Sequence, residues 1–119
     1  MKKLLLVITI TTLTMTSIIS APKAQAANVA QSVCEYVAAD DKKRMRSFLK
    51  TNKLKIRNIF AGIMCNGKNL LEFAATKGSV ETGTLMISKL PKKTVSANLA
   101  LIQNGSQPLI DAANERVSS

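Results

Sequence analysis

Two cysteines, seven carboxylates and a run of cations are the side chains of this 119-residue sequence that could do chemistry. Cys34 and Cys65 stand 31 positions apart, a spacing that fits neither a Cys-x-x-Cys redox pair nor a zinc cluster. Histidine is absent, so imidazole acid–base catalysis and His-ligated metals are excluded. The carboxylates are Glu35, Asp40, Asp41, Glu72, Glu81, Asp111 and Glu115. Two paired carboxylates can act as acid and base when their surroundings drive their pKa values apart, and Glu35 and Glu72 fall at equivalent places in an internal repeat. The simpler expectation puts each in the first turn of a helix, where negative charge meets the positive end of the dipole. There is no Gly-x-Ser-x-Gly elbow, phosphate loop or calcium loop. The expectation is therefore a protein that is not an enzyme and uses no cofactor or metal.

The cations carry more information. Lysine and arginine number 17 against 7 acidic residues, a net charge of +10. Lys42, Lys43, Arg44, Arg46, Lys50, Lys53, Lys55 and Arg57 fall within residues 42–57 with no acid among them. Lys42, Arg46 and Lys50 recur every fourth position and share one helix face. With Lys43, Lys53 and Arg57 they form a candidate surface for an anionic partner. Such a strip attracts lipid headgroups, acidic polysaccharide, nucleic acid or an acidic protein. A solvated face that keeps a small protein soluble is the plainer reading. Specific nucleic-acid binding is not expected, because Phe48 is the only aromatic within the strip and belongs to an apolar stripe.

The N-terminal residues supply an address. Met1-Lys2-Lys3 precedes residues 4–21, which carry no charge, and Ala24-Gln25-Ala26 completes the pattern of a cleaved signal peptide over residues 1–26. An uncleaved anchor is the competing reading, but Thr9, Thr11, Thr12, Thr14 and Thr16 dilute the apolar run. No cysteine lies in the leader, so no lipid anchor is expected. Cleavage leaves a single domain over residues 27–119, and loss of Lys2, Lys3 and Lys23 lowers the charge to +7. Nothing in that domain reaches a spanning length. The expected location is the periplasm or the exterior, where disulfides persist. A structural bridge between Cys34 and Cys65 is the expectation there, with reduced buried thiols or a reactive thiol as alternatives. At 3% aromatic content the core is thin, and a bridge would stabilise it substantially.

The elements that must position these groups read as helices. Val33, Tyr36, Val37 and then Met45, Phe48, Leu49 recur at helical spacing. Ser32 and Glu35 suggest a capping box for the first helix, and Asp40 and Asp41 suit the start of the second, which Asn52 closes. A third helix is expected over residues 54–64, ended by Asn66-Gly67. Residues 69–76 form the next, stopped at Gly78, and Ser79 caps another that ends before Pro91. Residues 94–102 and a helix opened by Pro108 complete the set, with 114–119 a frayed tail. Strand signals are lacking after the leader. The fold class is all-α, a small bundle or short solenoid of stacked antiparallel helix pairs.

The stretch Asn66-Gly67-Lys68-Asn69-Leu70-Leu71-Glu72-Phe73-Ala74-Ala75 recurs in outline from Asn104 to Ala113, and a fainter copy begins at Val33, giving a degenerate repeat of about 37–38 residues. Its Gly67-x-x-Leu70-Leu71-x-x-Ala74-Ala75-x-x-Gly78 pattern resembles an ankyrin repeat, although the period is longer and a further helix stands where a hairpin loop would lie. That resemblance implies antiparallel helix-pair stacking only. The Cys34-Glu35-x-x-Ala38-x-x-Asp41 start and the block from Arg57 through Cys65-Asn66-Gly67 to Leu70-Leu71-x-Phe73-Ala74 resemble a family of small exported bacterial proteins with a domain of unknown function. This implies a compact helical domain and no particular activity. The expected role is a non-catalytic, protein-binding module of the cell envelope, with an acidic protein partner. The alternative is a basic binder of anionic envelope polymers or lipid headgroups. The sequence sets no oligomeric state.

Overall fold

Apolar residues at three- and four-residue spacing require a common interior, and the computed structural model of the chain contains one. It describes residues 21–119, with side chains from residue 27 onward. The expected leader lies outside the described residues, apart from the backbone of 21–26. The helices are α1 (Ala21–Ala38), α2 (Lys42–Thr51), α3 (Ile56–Ile59), α4 (Leu70–Lys77), α5 (Val80–Lys89), α6 (Lys92–Ala97), α7 (Leu99–Ile102) and α8 (Gln107–Ser118), and α3 continues into a 3₁₀ turn over Phe60–Gly62. The fold is all-α, as expected, with no strand among the described residues. No helix among them is long and apolar enough to cross a membrane.

Val33, Val37, Met45, Leu70, Leu71, Met86, Leu90, Val95, Ile102 and Leu109 form one buried cluster. Helix α4 lies between α1 and α5, and α5 packs on α8. That last approach is close at Gly83, where an added Cβ would sit 2.5 Å from Leu109 Cδ1. Tyr36 of α1 meets Phe48 of α2 edge to face, with ring centroids 5.6 Å apart.

Three helices stop in the same way. At the ends of α1, α2 and α4, Asp40, Lys53 and Gly78 take left-handed φ values of 53°, 53° and 71°. At each, two backbone amides turn back onto the last helical carbonyls, as Lys53 N–H to Lys50 (3.1 Å) and Leu54 N–H to Leu49 (2.8 Å) do after α2. Asn52 closes α2 as expected, its side-chain amide donating to the Phe48 carbonyl at 2.8 Å. A lysine in the left-handed region is strained by its Cβ. Lys53→Gly should therefore raise stability by about 0.5–1 kcal/mol in urea unfolding, the relief exceeding glycine's entropy cost. A lower midpoint would contradict this account.

Several expected boundaries shift, for identifiable reasons. Helix α1 starts well before Ser32, carried by the alanine-rich stretch ahead of it, so the Ser32–Glu35 box does not form and Glu35 lies in the last turn, not the first. The helix expected over 54–64 is only α3 and its 3₁₀ turn, since Ile, Asn, Phe and Gly there are weak helix formers. The helix expected over 94–102 breaks between α6 and α7 at Asn98. The Asn98 side chain donates to the Thr94 carbonyl and accepts from Asn69 Nδ2 at 2.7 Å, competing with the helical ladder. Residues 114–118, expected as part of a frayed tail, have helical backbone. Helix α8 runs to Ser118, with Val117 against the core and Arg116 bonded to the Leu90 carbonyl.

Candidate functional site

Helix α2 begins at Asp41, whose carboxylate accepts the Arg44 N–H at 3.0 Å. This start sets the helix phase: Met45 is buried, while Arg46, Leu49 and Lys50 line an adjoining groove. The left-handed stop at Lys53 reverses the chain and brings Leu54, Lys55, Ile56 and Arg57 along the same groove. Such stops commonly place the residue after the turn against the last helical turn, here Leu54 beside Leu49. The opposite wall is Leu85, Ser88 and Lys89 of α5, and Arg116 of α8 completes the lining. Arg116 is held there by donating from Nε and Nη2 to the Leu90 carbonyl, at 3.3 and 3.0 Å.

The groove encloses about 610 Å³. Its lining combines four apolar side chains, Leu49, Leu54, Ile56 and Leu85, with six cations, Arg46, Lys50, Lys55, Arg57, Lys89 and Arg116, and contains no carboxylate. The two ion pairs among the described residues, Lys42–Glu81 at 3.4 Å and Arg44–Asp41 at 3.6 Å, involve none of those six. The groove thus concentrates positive charge beside apolar surface, with the nearest carboxylates in adjoining depressions, and suits an anion that also has something apolar to bury.

The expected anionic-partner surface is partly redistributed. Arg46, Lys50 and Arg57 meet in the groove. Lys42 lies at a neighbouring depression shared with Arg46 and is engaged by Glu81. Lys43 and Lys53 do not line the groove: Lys43 projects from a different side of α2, and Lys53 forms its stop. Lys89 and Arg116 were not expected. Both lie outside the 42–57 run and are brought to the groove by the packing of α5 on α8.

Cys34 and Cys65 are bonded, with Cα atoms 5.7 Å apart, so neither is a reactive or reduced thiol in this fold. The bridge joins α1 to a tight turn at Cys65–Lys68. There Asn66 and Gly67 take φ values of 53° and 80°, and Cys65 and Lys68 exchange backbone bonds of 2.7 and 3.0 Å. An Asn-Gly pair is suited to such a two-residue turn. The carboxylates occupy separate settings. Glu35 is exposed and accepts from Gln31, whereas Glu72 is half-buried in the first turn of α4. Asp40 reaches across to α5, accepting from Thr82 N–H (2.7 Å), Thr82 Oγ1–H (3.0 Å) and Glu81 N–H (3.2 Å). Ser79 was expected to cap α5; instead its hydroxyl donates to the Val37 carbonyl. No group of three or more potential metal ligands occurs among the described residues.

A family model described as "Protein of unknown function (DUF3718)" matches residues 33–97, more than half of the chain. The chain belongs to the DUF3718 family. No curated protein and no solved structure matches it. The DUF3718 match spans both cysteines and five of the six groove cations, and Arg116 lies beyond it.

Proposed function

We propose that this DUF3718 protein is an exported, non-catalytic helical module that holds an acidic protein partner in its basic groove. The observation that carries the reading is the groove itself, six cations around an apolar lining without a carboxylate. A solvated solubility face needs no concavity and no apolar floor, and the groove has both. Export is supported by the signal-peptide pattern of residues 1–26 and by the disulfide, which suits an oxidising compartment. We also read the two helix pairs as degenerate copies of one unit. In support, the left-handed turns at Asp40 and Gly78 stand 38 positions apart, matching the sequence period.

Charge reversal tests the binding reading. Arg46 and Lys50 are exposed on α2, so Arg46→Glu with Lys50→Glu should leave the helical circular dichroism unchanged. The same variant should weaken retention of an acidic partner from periplasmic extract by at least about tenfold, with wild-type retention falling as salt rises. Retention indifferent to both changes would end this reading. Retention of acidic polysaccharide or anionic vesicles instead of protein would favour an envelope-polymer or headgroup binder.

A further inference from the structure

We infer that the occupant of the groove is a protruding acidic peptide segment that sets an apolar side chain between its carboxylates, so that recognition requires both chemistries. This rests on the proposal that the groove binds an acidic protein, and it specifies what that protein must present. The arrangement of the lining supports it. Leu49 and Leu54 are half-buried, and Ile56 and Leu85 are buried; all four border the same space as the six cations. Arg46, Lys50, Lys55 and Arg57 alternate with Leu49, Leu54 and Ile56 along one short stretch of chain, so every apolar contact has a cation beside it.

Three ligand shapes meet this lining differently. A bare polyanion satisfies the lysines and guanidinium groups but leaves the half-buried Leu49 and Leu54 uncovered, which forfeits the burial those two offer. A planar anionic bilayer meets the rim of a concave site and cannot follow it inward. A peptide chain can do both, because consecutive side chains project far enough to place a leucine or phenylalanine on the floor while carboxylates pair with the walls. Two of the cations, Arg46 and Arg57, are arginines whose forked donors match carboxylates in bidentate geometry, while Arg116 already donates to the Leu90 carbonyl. A volume of about 610 Å³ accepts a few side chains of such a segment and no folded domain.

The test uses the purified, oxidised protein and fluorescence anisotropy with three labelled probes: a glutamate-rich peptide carrying leucine at every fourth position, the same peptide with serine for leucine, and polyglutamate. Anionic phospholipid vesicles serve as a competitor. The leucine peptide should bind at least about tenfold more tightly than either other probe, the ratio expected for burial of one large apolar side chain. Leu54→Ser, at a half-buried position outside any helix, should remove that preference while leaving polyglutamate binding in place. Arg46→Glu with Lys50→Glu should weaken every probe. Equal affinity for leucine and serine peptides, or a preference that survives both Leu54→Ser and Leu49→Ser, would overturn the inference and leave anionic binding standing. Displacement of the leucine peptide by vesicles at lower concentration than by unlabelled peptide would also overturn it, in favour of a lipid occupant. No binding of any probe would reject the underlying functional reading as well.

Discussion

Replacing Cys34 with serine and Cys65 with alanine should lower the unfolding free energy by about 3–4 kcal/mol, the chain-entropy value for opening a loop of this length. The choice of residues follows burial: Cys34 is half-exposed and tolerates a hydroxyl, whereas Cys65 is buried and would leave a serine without a partner. For a domain of this size the loss corresponds to a fall of about 15–25 °C in Tm. It is also a large share of the ~5–15 kcal/mol that holds a typical small domain together. The reduced wild-type protein should match the variant in midpoint, and both should show a larger urea dependence because their unfolded chains are less compact. An unfolding free energy within about 1 kcal/mol of that of the oxidised protein would show that the bridge is incidental. The expected damage has a location. Between Asn52 and Asn69 the chain forms only α3 and a 3₁₀ turn, anchored by buried Ile56, Ile63 and Cys65. Residues 54–57 in that stretch form one wall of the groove, so loosening the stretch should cost peptide affinity along with stability.

What could be read from the sequence divides along a physical line. Helix stops and starts that depend on neighbouring residues were legible: Asn52, the Asn66-Gly67 turn, Gly78, and Pro108 in the first turn of α8 all act within one turn of chain. The disulfide was the expectation from the signal-peptide pattern and the count, because two cysteines allow one pairing. The half of the site on α2 and the following turn was legible as a run of charge. The other half was not, since Lys89 and Arg116 enter through the packing of α5 on α8 and have no local signature. The apolar floor was also hidden, because spacing places Leu49 and Ile56 on the core side, where they are, without showing that a groove reaches them. Lys53 misled in the opposite sense. Its charge placed it with the strip, while its left-handed backbone commits it to ending α2, a role that sequence patterns associate with glycine or asparagine.

Asp40 is the residue on which sequence and fold differ most, and Asp40→Ala should destabilise the protein by about 2–3 kcal/mol. Locally it reads as an acid before a basic helix, yet Asp41 caps α2. The Asp40 carboxylate instead supplies the acceptors for the first amides of α5, about forty residues on in the chain. Ser79, the residue placed to cap α5, is turned to the end of α1. The two turns therefore exchange caps, and the first helix pair is tied to the second by hydrogen bonds from both sides. Thr82 is fully buried, so truncating Asp40 strands its hydroxyl and backbone N–H away from water. Substitution by glycine separates the two burdens this position carries. Asp40→Gly also loses the cap, but it relieves a left-handed Cβ and should recover about 1 kcal/mol relative to Asp40→Ala. Asp40→Asn keeps an acceptor without its charge and should fall between the wild type and Asp40→Ala. Equal stability of the alanine variant and wild type in urea unfolding would refute the exchange of caps. Combining Asp40→Ala with Ser79→Ala should give a loss that departs from the sum of the single losses, since both bonds close the same junction. That junction joins the α1–α2 turn to the start of α5, and α2 and α5 are the two facing walls of the groove. Asp40→Ala should therefore weaken binding of the leucine-bearing acidic peptide more than binding of polyglutamate, because spreading the walls removes the shared apolar floor before it disperses the charge.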